Sequence, residues 1–189
     1  VLVLVPFAPW VFGTAAIALG YLPTLAADTA GSASLLFAAI ATAIPAFGGI
    51  AVQPLVTRVH PARPTSLLLT SMTSVTAGFA VAVWAAQTRA LVAMLVASLV
   101  LGAAYGLTQL AGLADVQRVA DPTRLGTATA AFQALGYVGF AFPYVLTVSG
   151  RQFGWQPSQG LIILLATAVA ATIWLSFVTR RPRTATSQP

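Results

Sequence analysis

Few side chains in this 189-residue chain can act as acid, base or nucleophile, and they lie far apart in sequence. The carboxylates are Asp28, Asp115 and Asp121, the one imidazole is His60, and there is no cysteine. General acid–base work calls for two carboxylates converging on one bond, and a metal site for three or four His, Cys, Asp or Glu ligands at set spacings. A hydrolase serine calls for G-x-S-x-G. None of these patterns occurs. The chain is therefore expected not to be an enzyme, with no catalytic residue, no metal, no disulfide and no cofactor. What remains is the chemistry of stacking and hydrogen bonding, carried by Trp10, Tyr21, Tyr105, Gln109, Gln133, Tyr137 and Tyr144.

Those residues sit inside long apolar runs. Hydrophobic residues make up 58% of the chain and charged ones 6%, against about 25% charged in soluble domains. The composition is that of a helical membrane protein. About 20 apolar residues cross the hydrocarbon core as a helix, and six such segments can be laid down, at residues 2–26, 33–56, 65–87, 90–113, 127–149 and 160–179. All charged residues fall outside them, as expected when an Asp or Arg at a span centre costs roughly 2.5–3.5 kcal/mol on insertion. The chain opens without Met inside an apolar run and is expected to be a segment of a longer protein. Residues 1–179 then form one six-helix bundle, and 180–189, "RRPRTATSQP" from its first arginine, a disordered basic tail.

The nine basic residues are all arginine. Because they lie between oily segments, the net charge of +6 is read as membrane topology and not as a nucleic-acid surface. Seven arginines fall in the second loop, the fourth loop and the tail, and two (Arg89, Arg151) on the other side. The positive-inside bias places both ends of the segment in the cytoplasm, in a cell (cytoplasmic or inner) membrane. The fourth loop, "ADVQRVADPTR", carries two of the three acids. Asp121 before Pro122 reads as turn chemistry.

At about 100° per residue, Ser98, Gly102, Tyr105, Gly106, Gln109, Gly112 and Asp115 share one half of the fourth span, and Ala104, Leu107 and Ala111 the half expected to meet lipid. The fifth span repeats this, with Gln133, Gly136, Tyr137, Phe140 and Tyr144 on one stripe. Two readings stand side by side. Gly102 and Gly106 form the G-x-x-x-G of close helix packing, whereas the glutamines and tyrosines suit a cavity wall, since an amide is costly to bury unpaired. The third and sixth spans lack Asn, Tyr and charge between their ends and read as peripheral. Pro45 with Gly48 and Gly49 in the second span, and Pro143 with Gly136 and Gly139 in the fifth, predict corresponding interruptions in two triplets of helices, a 3+3 inverted repeat.

On "PFAPWVFGTAAIALGYLP" (residues 6–23) and "GLADVQRVADPTRLGTATAAFQALGYVGFAFP" (residues 112–143), the chain resembles the C-terminal half of a major facilitator superfamily (MFS) transporter, over nearly its whole length. The family's loop signature is degenerate here: Gly49 and Arg58 match it, while Gln53 and Pro54 stand where Asp and Arg are usual. The resemblance implies an all-α integral membrane protein in which two six-helix bundles rock about a central site. The partners are then the bilayer, a missing N-terminal half, a small-molecule substrate and protons as coupling ion. It also implies a cytoplasmic gate in which Asp115 pairs with Arg58, Arg63 or Arg118.

The candidate cavity residues, Trp10, Tyr21, Tyr105, Gln109, Gln133, Tyr137 and Tyr144, are aromatic and uncharged. They suit an apolar or amphipathic solute better than a phosphate or a sugar. Secondary active efflux by alternating access is therefore the expected function. Uptake of a neutral nutrient and a non-transporting six-helix scaffold remain as alternatives. No Asp or Glu falls at mid-membrane, so a proton carrier is expected in the missing half.

Overall fold

The computed structural model describes residues 4–54 and 64–180. Among them there is no strand, and six helices are long and apolar enough to cross a membrane: α1 Leu4–Ala27, α2 Gly31–Ala51, α3 Ser66–Thr88, α4 Leu91–Val119, α5 Pro122–Phe153 and α6 Pro157–Thr179. The architecture is that of a multi-pass helical membrane protein. Arg58, His60 and Arg63 lie outside the described residues.

The connections between α3, α4, α5 and α6 are tight. Only Ala120 and Asp121 separate α4 from the one-turn 3₁₀ start of α5, Pro122–Arg124. The Asp121 carboxylate accepts hydrogen bonds from the Thr123 amide (2.8 Å) and hydroxyl (2.6 Å), the turn chemistry its neighbour Pro122 predicted. Those two bonds hold its carboxyl below the usual aspartate range. Gly154 ends α5 in the left-handed region (φ 68°), where a Cβ is unfavourable.

The fourth connection is much shorter than the sequence suggested. The span at 90–113 stops where hydropathy falls, but α4 continues to Val119. Hydropathy measures transfer into lipid, whereas the backbone ladder needs only residues that tolerate a helix, which Ala114 to Val119 do. Asp115 and Arg118 are therefore helical residues. Similarly, α5 runs from Pro122 to Phe153, beyond the expected 127–149 at both ends, and Arg151 lies in its last turn.

Prolines reshape two helices one turn upstream. A proline ring clashes with the carbonyl four residues earlier. For Pro143 that residue is Gly139, inside a 3₁₀ turn at Val138–Ala141. For Pro23 it is Leu19, inside a π turn at Ile17–Tyr21. Pro45 produces no such break, and α2 is continuous over Ser34–Ala51. The predicted matching interruptions in the second and fifth spans are thus found only in α5. The second irregular helix is α1, whose Pro23 was not singled out.

Two glycine-lined crossings organise the bundle. In lipid, helices gain little from hydrophobicity against one another and rely on close packing. At the α2–α4 crossing, a Cβ on Gly102 would overlap the backbone of Pro45, and one on Gly106 would lie 2.7 Å from the Gly49 carbonyl oxygen. At the α1–α5 crossing, a Cβ on Gly139 would overlap the backbone of Pro9 and Gly13. The second helix of each triplet thus packs on the first helix of the other, while α3 packs against α6, where the Thr76 and Thr172 hydroxyls are 3.2 Å apart.

The packing answers the question left by α4. Gly102 and Gly106 belong to its contact with α2. Its other half, expected to meet lipid, is also covered: Ala104, Leu107 and Ala111 are buried, and α3 makes the most extensive contact with α4. An apolar face signals an apolar neighbour, and a packed helix satisfies it as well as a lipid chain does. For the same reason α3 is less peripheral than its bland sequence suggests. Leu68, Met72, Val75, Phe79 and Ala82 are buried at helical spacing. The sixth helix does lie at the edge, with Ile162, Ile163, Ile173 and Phe177 exposed.

Candidate functional site: an aromatic face on three helices

Phe12 of α1 is the centre of the site. Its ring stacks on Tyr137 (centroids 4.9 Å, planes 13° apart) and on Phe140 (5.1 Å, 19°), both from α5, and lies 6.0 Å from Tyr105 of α4. Gly136 allows this approach, because the place of its missing Cβ is 3.0 Å from the Phe12 ring. The 3₁₀ turn at Val138–Ala141 brings Phe140 round beside Tyr137, with centroids 6.0 Å apart and planes within 19°. Such aromatic pairs contribute about 0.5–1.5 kcal/mol each beyond area burial. The face is nonetheless open: Tyr137 is 58% exposed, Phe140 51% and Tyr144, one turn further along α5, 71%.

Two glutamines underlie this face. Gln109 is one turn beyond Tyr105 on α4, and Gln133 one turn before Tyr137 on α5. The helices run in opposite directions through a two-residue link, so both glutamines lie on the Arg124 side of the aromatics. The Phe132 ring against Gly112 shows that these stretches of the two helices meet. Each side-chain carbonyl oxygen, Gln109 Oε1 and Gln133 Oε1, is buried and accepts no hydrogen bond. A buried amide oxygen without a donor costs about 1–3 kcal/mol, a cost that packing alone gives no reason to keep.

The structure separates the seven predicted residues. Tyr105, Gln109, Gln133 and Tyr137 come together, and Tyr144 extends the same open face. Trp10 does not reach it. It is 5% exposed, with its ring edge-on to Phe79 of α3 (5.7 Å) and Phe142 of α5 (5.6 Å), a core position. Tyr21 is buried as well, in the π turn of α1, beside Thr24, Leu146 and Arg151 at the opposite end of the bundle. Sequence reasoning passed over Phe12, because the first span carries too few polar residues to mark the face on which it lies. Its spacing with Gly13 and Pro9 was the available signal.

Of the three arginines expected to pair with Asp115, Arg118 does so. Its Nε donates to Asp115 Oδ1 at 3.2 Å and its Nη2 donates to the same oxygen. Both residues are on α4, one turn apart, so this pair joins no two helices. Asp115 is buried while Arg118 is partly exposed, and the pair lets a carboxylate sit against the core at the Arg124 end. Among the described residues no group of three His, Cys, Asp or Glu could hold a metal.

No family model, no curated protein and no solved structure matches this chain.

Proposed function

We propose that the chain is one six-helix bundle of a secondary transporter resembling the C-terminal half of the MFS, and that its open aromatic face lines the path of a small apolar or amphipathic solute, moved outward by alternating access. The observation that carries this reading is the stacked Phe12–Tyr137–Phe140 wall, left open to the outside of the bundle above two glutamine oxygens that accept no hydrogen bond. Flat, polarisable rings bind apolar and cationic aromatic solutes with little directional demand. The unpaired amide oxygens are covered by protein here; rocking of the bundle is proposed to uncover them, so that they then accept from a donor on the solute, the usual composition of a small-molecule site.

The crossed packing of α2 on α4 and α5 on α1 supports the inverted repeat of two helix triplets. Such repeats place their substrate at the repeat interface near mid-membrane, where α1, α4 and α5 present the aromatic face. The arginine distribution supports a cytoplasmic location for the end that carries Arg118 and Arg124.

The test is flux of an amphipathic aromatic cation across sealed vesicles containing the complete transporter, this bundle together with its partner bundle. Phe12→Ala removes the ring on which the others stack, and is expected to lower the apparent affinity for the solute about tenfold, the loss of about 1.4 kcal/mol from one aromatic contact with the solute. Flux equal in wild-type, Phe12→Ala and protein-free vesicles would sink the proposal and leave a packing scaffold.

A further inference from the structure

A second opening lies at the Arg124 end, between the first turn of α1, the last turns of α4 and the first turns of α5. It is a cleft of about 300 Å³ with walls from Leu4, Val116, Val119, Ala128, Ala131 and Leu135. Arg124 stands at its mouth, the one charged residue on it among the described residues. Arg118 is engaged by Asp115, and the Asp121 Oδ1 by Thr123. Among the described residues Arg124 has no ion-pair partner, and its side chain is exposed.

The cleft is distinct from the aromatic face. On α5, Phe132 and Gly136 point to α4 and α1, against Gly112 and Phe12. At 100° per residue, Gln133 and Tyr137 fall on one side of that strip, and Ala128, Ala131 and Leu135 on the other. From Arg124 to Leu135 the helix rises about 16 Å, about half of a 30 Å hydrocarbon core and so the depth of one leaflet. Apart from Thr127 near the mouth, the walls are apolar through that depth, and Arg124 is at the end where headgroups lie.

We infer that this cleft binds an anionic phospholipid from the leaflet at the Arg124 end, its phosphate on Arg124 and one acyl chain between α1, α4 and α5. Charge and depth both select this occupant. A free phosphate ion would leave the apolar walls uncovered, and a zwitterionic lipid brings its own cation to the mouth. Basic pockets between membrane helices hold anionic headgroups in this way. The inference rests on the membrane architecture and not on transport.

Native mass spectrometry of the detergent-solubilised protein, titrated with phosphatidylglycerol and with phosphatidylcholine of the same chains, tests it. The wild type is expected to bind the anionic lipid about fivefold more tightly, and Arg124→Gln to abolish that preference. Ala131→Phe, which fills the cleft from an exposed position, is expected to weaken binding of both lipids. Arg151→Gln, at the far end, is expected to change neither. Equal affinity for the two lipids in the wild type would overturn the inference. So would a preference that survives Arg124→Gln, or lipid binding unaffected by Ala131→Phe.

Discussion

Gly139→Val is expected to prevent assembly of the bundle. The substituent would occupy the space of the Pro9 carbonyl and the Gly13 amide, which are backbone atoms that cannot swing aside as a side chain can. Overpacking a core ordinarily costs about 1–3 kcal/mol, and here α1 and α5 must separate, so the cost is expected to exceed about 3 kcal/mol. Gly102→Val is expected to do the same at the α2–α4 crossing, where Pro45 stands in the way. Gly126 is the control. Nothing lies within 4 Å of the place where its Cβ would be, and Gly126→Ala should raise stability slightly by lowering the freedom of the unfolded chain. The measurement is the monodisperse yield and melting temperature of the detergent-solubilised variants. Normal melting of Gly139→Val would mean that α1 and α5 do not cross at this point.

The second large effect has opposite signs for stability and for function. Gln109→Leu and Gln133→Leu each replace a buried amide oxygen lacking a donor by an apolar group of similar length. Stability is expected to rise by about 1 kcal/mol for each, since an unmet buried acceptor is removed. Solute flux is expected to fall about fivefold to tenfold, since a hydrogen bond of about 1 kcal/mol to the solute is lost. A stabilising change that impairs activity is the pattern of a functional site held at some cost to the fold. A scaffold protein would show the gain in stability and no loss of any kind. Melting temperature and vesicle flux measured on the same preparations separate the two cases.

The helices themselves were legible because the constraint is severe: a backbone in lipid must satisfy its own hydrogen bonds, and charge is excluded from the span. The ends of α4 and α5 were not, because a helix may continue past the membrane for as long as its residues allow, as Asp115 to Val119 do. The direction of each face was harder still. Ala104, Leu107 and Ala111 looked lipid-facing, yet all three are buried in the bundle, and no period in the sequence distinguishes a leucine against lipid from one against a neighbouring helix. Tyr105, Gln109, Gln133 and Tyr137 were found through their polar atoms. Phe12 was missed because the first span has too few polar residues to mark a face, and Trp10 misplaced because an aromatic ring near a cavity and one in the core look alike in sequence. The apolar cleft under Arg124 was invisible in the sequence, since it arises from three helix ends that meet only in the fold.

Tyr137 and Phe140 are expected to face a water-accessible path, and the exposed Val138 and Val145 of α5 to face lipid. Because the chain has no cysteine, single cysteines can be introduced at positions 137, 140, 138 and 145 without background. Reaction with a membrane-impermeant thiol reagent, in sealed vesicles with and without an amphipathic solute, decides the matter. Rapid labelling at 137 and 140 that the solute slows is expected, with little labelling at 138 and 145. Equal, slow labelling at all four positions would return the aromatic face to lipid.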